Sequence, residues 1–219
     1  MASTDRRERE KQELRRKILD TARKMFLEEG YEAVTMRKIA QKIEYSPTAI
    51  YLHLKDKDAL FHELCQQDFL RLAQALNQLS EIKDPIDQIR RIGRAYLDFS
   101  LEYPNHYRLM FMTPHPVPPP NDVLKKGNPE EDAYAVLKNI VESAIKAGRF
   151  RPEIKDAELV AQTLWAGIHG VASLQIAKHG DNWVEWRSIT RRAEMMMDAL
   201  LFGLLNTTNS HANGQGKRK

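Results

Sequence analysis

Residues 35–57 read TMRKIAQKIEYSPTAIYLHLKDK, and this stretch decides how the chain is read. Thr35 is a good N-cap, and Met36, Ile39, Ala40 and Ile43 follow it at helical spacing. A second helix start comes at once, with Ser46 as N-cap and Pro47 at the first helical position. Tyr45 and Ile50 flank that cap at the spacing of a hydrophobic staple, which sets how the chain enters the helix. Two short helices joined by a tight turn are a helix-turn-helix, and Asp56 starts a third helix directly afterwards.

Charge and exposure give the parts of this stretch different tasks. Residues 35–57 carry five basic side chains (Arg37, Lys38, Lys42, Lys55, Lys57) against two acidic ones (Glu44, Asp56). Arg37 and Lys38 lie in the first turn of one helix and Lys57 opens another. The helix dipole disfavours cations there by ~0.3–1 kcal/mol each. A bound anion such as a nucleic-acid phosphate reverses that sign. On a helical wheel Ile50 and Leu54 point inward, which leaves Thr48, Ala49 and Leu52 outward and Tyr51 and His53 on the flanks. Small and apolar outward groups suit a major groove, where Ala or a Thr methyl meets a thymine methyl. Tyr51, His53, Lys55 and Lys57 are then spaced to hold phosphates. A half-buried core position is the competing reading of Tyr51, and a solvated surface is that of the lysines.

Upstream of the motif, residues 1–13 are dense in charge and read as a flexible arm that can become helical. A first helix is expected over Leu14 to Glu29, with Leu14, Ile18, Ala22, Met25 and Phe26 as its apolar stripe and Gly30 as its cap. A charged leader, Phe26 ahead of Gly30-Tyr31, and then TMRKIAQKIEYSPTAIYLHLKDKDAL together resemble the N-terminal domain of TetR-family transcriptional regulators over about Leu14 to Leu64. The resemblance implies a DNA-binding domain at 14–64, with the helix-turn-helix at about 35–54. It would put Arg37 and Ser46, Pro47, Thr48 and Ala49 near base edges, and Thr35, Tyr51, His53 and Lys57 on the DNA backbone. Lys38, Leu52 and Lys55 complete the expected DNA-facing set. Two residues depart from the family pattern. Glu44 stands where the turn usually carries glycine, at a cost of ~1–2 kcal/mol if that position is left-handed. Leu52 stands where an aromatic often follows the tyrosine.

Beyond residue 64 a larger helical domain, 65–206, is expected, followed by a disordered tail at 207–219. Long helices are predicted from Asp56 to about Leu79, from Asp84-Pro85 to Leu101, from about Glu130 to Gly148, over Leu159 to Ala177, and from about Trp183 to Leu205, with a short one around His106 to Met112. Residues 113–129 hold six of the ten prolines and are expected to form a long flexible loop. Leu159 to Ala177 runs for 19 residues without a charge, the length of a membrane span. Gln162, Thr163, His169, Ser173 and Gln175 within it argue for a buried helix instead. No segment alternates with a two-residue period, so the fold class is all-α, with no sheet.

Trp165, His169 and Gly170 in LWAGIHGVASL resemble the tryptophan-histidine-glycine motif of one TetR C-terminal subfamily. Four residues apart, Trp165 and His169 share a face, which fits either an effector contact or a tryptophan packed over a hydrogen-bonded core histidine. With His106, Tyr107, Met110 and Phe111 they form the candidate lining of an apolar effector pocket. The last two helices carry more apolar surface than one chain can cover. Gly167, Val171, Leu174, Ile189, Met196, Met197, Leu200 and Leu204 are the candidate interface of an intersubunit four-helix bundle, as the resemblance implies.

Composition narrows the remaining possibilities. No N-terminal apolar run suggests a signal peptide, and Cys65 is the only cysteine, so a reducing, cytoplasmic setting is expected. The sequence shows no glycine-rich phosphate loop, metal-ligand pair or nucleophile motif, so no cofactor, metal or catalytic residue is predicted. The expected protein is a homodimeric regulator, not an enzyme, that binds a pseudo-palindromic double-stranded operator. A small, partly apolar effector would release it, and no membrane is involved. The alternatives are a helical interaction module that does not bind DNA and, further off, a helical enzyme.

Overall fold

A computed structural model describes residues 2–113, 125–178 and 180–206, with side chains described from residue 6 onward. The expected proline-rich loop falls largely outside these residues, and the expected tail at 207–219 falls wholly outside them. The described chain is all-α: α1 Ala2–Glu29, α2 Met36–Ile43, α3 Pro47–Tyr51, α4 Lys57–Asn77, α5 Pro85–Glu102, α6 Pro104–Phe111, α7 Ala133–Lys146, α8 Ala157–Lys178 and α9 Ile189–Leu204. The single extended pairing among the described residues is an isolated antiparallel bridge between Phe150 and Leu205. No helix among the described residues is long and apolar enough to cross a membrane.

Two helices start elsewhere than periodicity suggests. α1 begins at Ala2 instead of Leu14, so the charged leader is helix. Residues 6–17 are Arg, Glu, Lys, Gln and Leu, all strong helix formers, and Arg6 pairs with Glu10 one turn on at 2.8 Å. Propensity extends α1 where burial does not. α9 begins at Ile189 instead of about Trp183. The Trp183 N–H donates to Asp181 Oδ1 at 2.9 Å in a local turn, and Gly180 has φ 91°, so the chain has not yet entered a helix there.

The chain divides into two compact units, the first up to Phe69 plus the segment from Tyr103, the second Leu70–Glu102 plus the segment from Lys125. The sequence reading divides it at 64/65 and assigns α6 to the larger domain. In the structure α6 packs on α1 within the first unit, and Leu109 is fully buried in that unit's core.

That core gathers Ile18, Phe26, Ile39, Ile43, Ile50, Phe61 and Leu64 from α1 to α4. Phe26, Tyr31 and Phe61 form an aromatic triad with centroids 5.3–5.5 Å apart. Beneath it runs a charged link: Asp68 of α4 pairs with Arg23 of α1, and its Oδ1 accepts from His106 Nδ1–H of α6 at 2.7 Å. Arg23 and Asp68 are both buried, so each depends on the other for its charge to be tolerated.

The second unit packs α5, α7, α8 and α9. α8 turns Val160, Ala161, Leu164, Ile168, Ala172 and Ile176 inward. A Cβ on Gly167 would run into Met196 Sδ and Leu200 Cδ1, so glycine permits the close approach of α8 and α9. Three predicted interface residues, Gly167, Met196 and Leu200, therefore serve packing inside the chain. Met197, expected at the interface, is instead buried, only 6% exposed, and lies against Gly93 of α5 inside the chain. Leu174 is exposed, whereas Val171, Ile189 and Leu204 are half-buried. The outward apolar residues that periodicity missed are Leu159 on α8 and Met195 and Phe202 on α9, the last two 76% and 77% exposed.

Candidate nucleic-acid interface

The helix-turn-helix is built from its caps. Thr35 has extended backbone, and its Oγ1 accepts from Lys38 N–H at 3.2 Å. Ser46 does the same for α3, accepting from Ala49 N–H at 3.2 Å, with Pro47 at the first position. Asp56 Oδ1 accepts from Ala59 N–H at 2.8 Å ahead of α4. Between α2 and α3 sits Glu44, at φ 62° and ψ 41°. It is the single non-glycine residue of positive φ among those described, so the anticipated strain is present. The turn is worth that strain locally because Glu44 N–H and Tyr45 N–H reach back to Gln41 O and Ala40 O at 3.2 and 2.9 Å.

α3 is five residues long and anchored by Ile50, fully buried, with Leu54 just beyond it. Its outer surface presents Ser46, Pro47, Thr48, Tyr51 and Leu52; Leu52 is 80% and Tyr51 52% exposed. Tyr51 is thus no core aromatic. Ala49 is half-buried, less outward than the wheel suggests. Lys55 is exposed.

The three cations at helix starts differ. Arg37 is exposed and has no hydrogen-bond or ion-pair partner among the described residues. Lys38 Nζ donates to Ala33 O at 2.7 Å and pairs with Glu29 at 3.0 Å. Lys57 Nζ donates to Tyr31 O at 3.0 Å and stands 4.0 Å over the Tyr31 ring, while the Tyr31 hydroxyl donates to Asp58. The dipole cost at Lys38 and Lys57 is offset inside the chain, so only Arg37 keeps the full force of that reasoning. Lys57 ties the loop after Gly30 to the start of α4, a task the sequence reading missed.

Other supports also came from outside the motif. Arg15 of α1 forms a two-pronged pair with Glu63 of α4 and donates from Nη1 to His53 O at 2.9 Å, holding the chain just past α3. Lys17 donates to Ile43 O at 3.1 Å at the end of α2 and lies 5.4 Å over the Tyr45 ring. A cation there also suits the negative end of α2. His53 is half-buried, and its Nδ1 is buried without a partner among the described residues. Burial, then Arg15 and Lys11, push its pKa below the usual histidine value.

The six effector candidates fall in both units. In the first, Tyr107 and Met110 are buried core; His106 is bound to Asp68, and Phe111 meets Phe69 and Tyr107 edge-on or tilted at 5.5 and 5.0 Å. In the second, Tyr96 hydroxyl bonds both His169 Nδ1 at 3.1 Å and Trp165 Nε1–H at 3.2 Å. Burial lowers the His169 pKa. The Trp165 and His169 rings also meet edge-on, with centroids 6.1 Å apart. A cavity of about 320 Å³ lies elsewhere in this unit, between the end of α8 and the start of α9, lined by Leu174, Gln175, Lys178, Trp186, Ile189 and neighbours. None of the six candidates lines it.

Residues 18–64 match the family of bacterial regulatory proteins named for TetR, and residues 89–200 match the tetracyclin repressor-like C-terminal domain. The chain belongs to the TetR family. Among curated TetR-type relatives it is similar to the HTH-type transcriptional repressor Rv1474c of Mycobacterium tuberculosis, 49% identical over 59 residues, or 27% of this chain and 32% of that protein. It is also similar to the HTH-type transcriptional repressor AcnR of Corynebacterium diphtheriae, 39% identical over 70 residues, 31% of this chain and 37% of that one. The chain thus spans about a third of the length of the curated relatives it matches. Solved structures align over far more. A protein with unknown function from Rhodococcus sp. RHA1 is 25% identical with a TM-score of 0.70 over 88% of this chain and 96% of its own. The TetR family regulator PfmR from Thermus thermophilus, 24% identical, has a TM-score of 0.66 over 86% and 99% and shares the fold.

Proposed function

We propose that this TetR-family chain is a sequence-specific DNA-binding repressor, not an enzyme, which acts in the cytoplasm as a homodimer and is released from its operator by a small, partly apolar effector. The observation that carries the DNA reading is the outer surface of α3. Leu52 and Tyr51 stand exposed beside Thr48 on a helix whose inner residue, Ile50, is fully buried. A solvated helix gains nothing from such a surface, whereas a major groove supplies thymine methyls and base edges to it. In this reading Arg37 and Ser46 to Ala49 approach base edges. Thr35, Lys38, Tyr51, His53, Lys55 and Lys57 hold phosphates. Lys38 and Lys57 do so only as extensions of their tethers to Ala33 and Tyr31.

The homodimer is supported by Leu159, Leu174, Met195 and Phe202, apolar side chains left exposed on α8 and α9. A second copy covers them in a four-helix bundle, and two α3 helices then meet half-sites about 34–36 Å apart or a multiple of that. An effector releases DNA by binding better to the form whose recognition helices are misplaced.

The test is binding of the full chain, at rising salt, to the duplex upstream of its own gene. A steep fall of log affinity with log salt is expected, with a specific excess over random duplex. Salt-independent binding, or no preference for any duplex, sinks the proposal.

A further inference from the structure

We propose that the first turns of α1 are a second DNA-contacting element, in which Arg7 and Lys11 neutralise backbone phosphates flanking the sequence read by α3. This rests on the DNA-binding reading above. α1 is continuous from Ala2, so the positions of residues 7 and 11 follow from those of the rest of the helix. At Arg15 it touches the carbonyl of His53, directly after α3. Residues four apart share a helix face, so Lys11 and Arg7 carry that contact line outward by about 6 and 12 Å at ~1.5 Å per residue. They continue the stripe in which Ile18 faces the core, but lie beyond the core that would cover them.

Both side chains are exposed and have no hydrogen-bond or ion-pair partner among the described residues. Their neighbours are otherwise engaged: Arg6 pairs with Glu10, and Gln12 donates to Glu8 at 3.4 Å. Lys11 is close enough for its charge to lower the His53 pKa together with Arg15. Two unpaired cations therefore stand in line with a residue placed on the phosphates, at the rim of the proposed interface. Complementary charge and continuity with that interface identify a duplex backbone as the occupant. Phosphate contacts position a protein without reading sequence, so the pair contributes affinity and salt dependence, not preference.

The experiment uses the full chain and a duplex selected by the wild-type protein from a random pool. Affinity is measured across a salt series for the wild type, for Arg7→Ala/Lys11→Ala, and for Arg16→Ala, whose exposed side chain points away from this stripe. The double variant should keep its sequence preference, bind roughly tenfold more weakly at low salt, and lose about two units of log–log salt slope per half-site. Arg16→Ala should match the wild type. Removing the outer base pairs of the duplex should weaken the wild type and leave the double variant unaffected. Circular dichroism must show equal helix content for all three proteins. An unchanged slope in the double variant, or an equal loss in Arg16→Ala, overturns the arm contact while leaving α3 as the reader. Failure of the wild type to select any duplex overturns the DNA reading itself, and the arm contact with it.

Discussion

The two units dispose of their apolar residues in opposite ways. In the first, the large side chains of α1 to α4 and α6 converge on one cluster, and the most exposed of the large apolar groups left outside it, Tyr51 and Leu52, sit at the end of the short helix α3. In the second, α8 and α9 carry apolar residues on several sides, and Leu159, Leu174, Met195 and Phe202 remain exposed after the helices have packed. The first unit thus leaves a small apolar surface exposed and the second a broader one; in the proposed function DNA meets the first and a second copy of the chain covers the second.

The contrast is most exposed to test at Asp68. Replacing it with alanine leaves Arg23 as a buried, unpaired charge and frees His106, so the first unit should lose about 3–5 kcal/mol in a urea titration. A loss under about 1 kcal/mol, the worth of an exposed pair, would mean that the unit does not depend on this link. At Phe202, substitution by aspartate should weaken self-association by at least about 2 kcal/mol, or ~30-fold. Sedimentation at fixed concentration would show it, with the melting curve of the monomer little changed. If the variant stays fully dimeric, the exposed face of α9 is not where copies meet.

Lys57→Ala should cost about 1–2 kcal/mol of stability, because it removes the contact over the Tyr31 ring and the bond to Tyr31 O. Arg37→Ala should leave stability alone and relax sequence preference in duplex binding. Equal effects of the two on either readout would erase the distinction between a tethered cation and a free one. Glu44→Gly should raise stability by about 0.5–1 kcal/mol, the relief of left-handed strain less the entropy of glycine. In a chain of this size that is a melting point higher by about 1–4 °C.

The smallest effect concerns Cys65, whose thiol is pushed up to about 12, chiefly by burial and then by Asp68. The native thiol should react with a disulfide reagent only as fast as the first unit opens. Because the folded pKa lies above the unfolded one, its contribution to stability is intact below about pH 9 and is lost as pH rises towards 12. Rapid labelling of the native protein at about pH 8, near the ordinary thiol pKa, would place Cys65 outside the core.

Local chemistry was legible before any packing was known. Thr35, Ser46, Pro47 and Asp56 set the helix starts because a cap acts within three or four residues of chain, and those starts stand where expected. The strain at Glu44 was legible for the same reason. The start of α1 was not: its leader is helical by propensity, and an amphipathic period carries no mark of that. The start of α9 was missed because Asp181 holds a turn that apolar periodicity does not register. The partner that each long side chain found was settled by the packed fold and by nothing nearer in sequence. Lys57 met Tyr31, Arg15 met Glu63 and His53, His106 met Asp68, and Met197 turned towards Gly93. Such pairings join residues 26 to 104 positions apart. A helical face says which way a side chain points, whereas only packing says what it meets there.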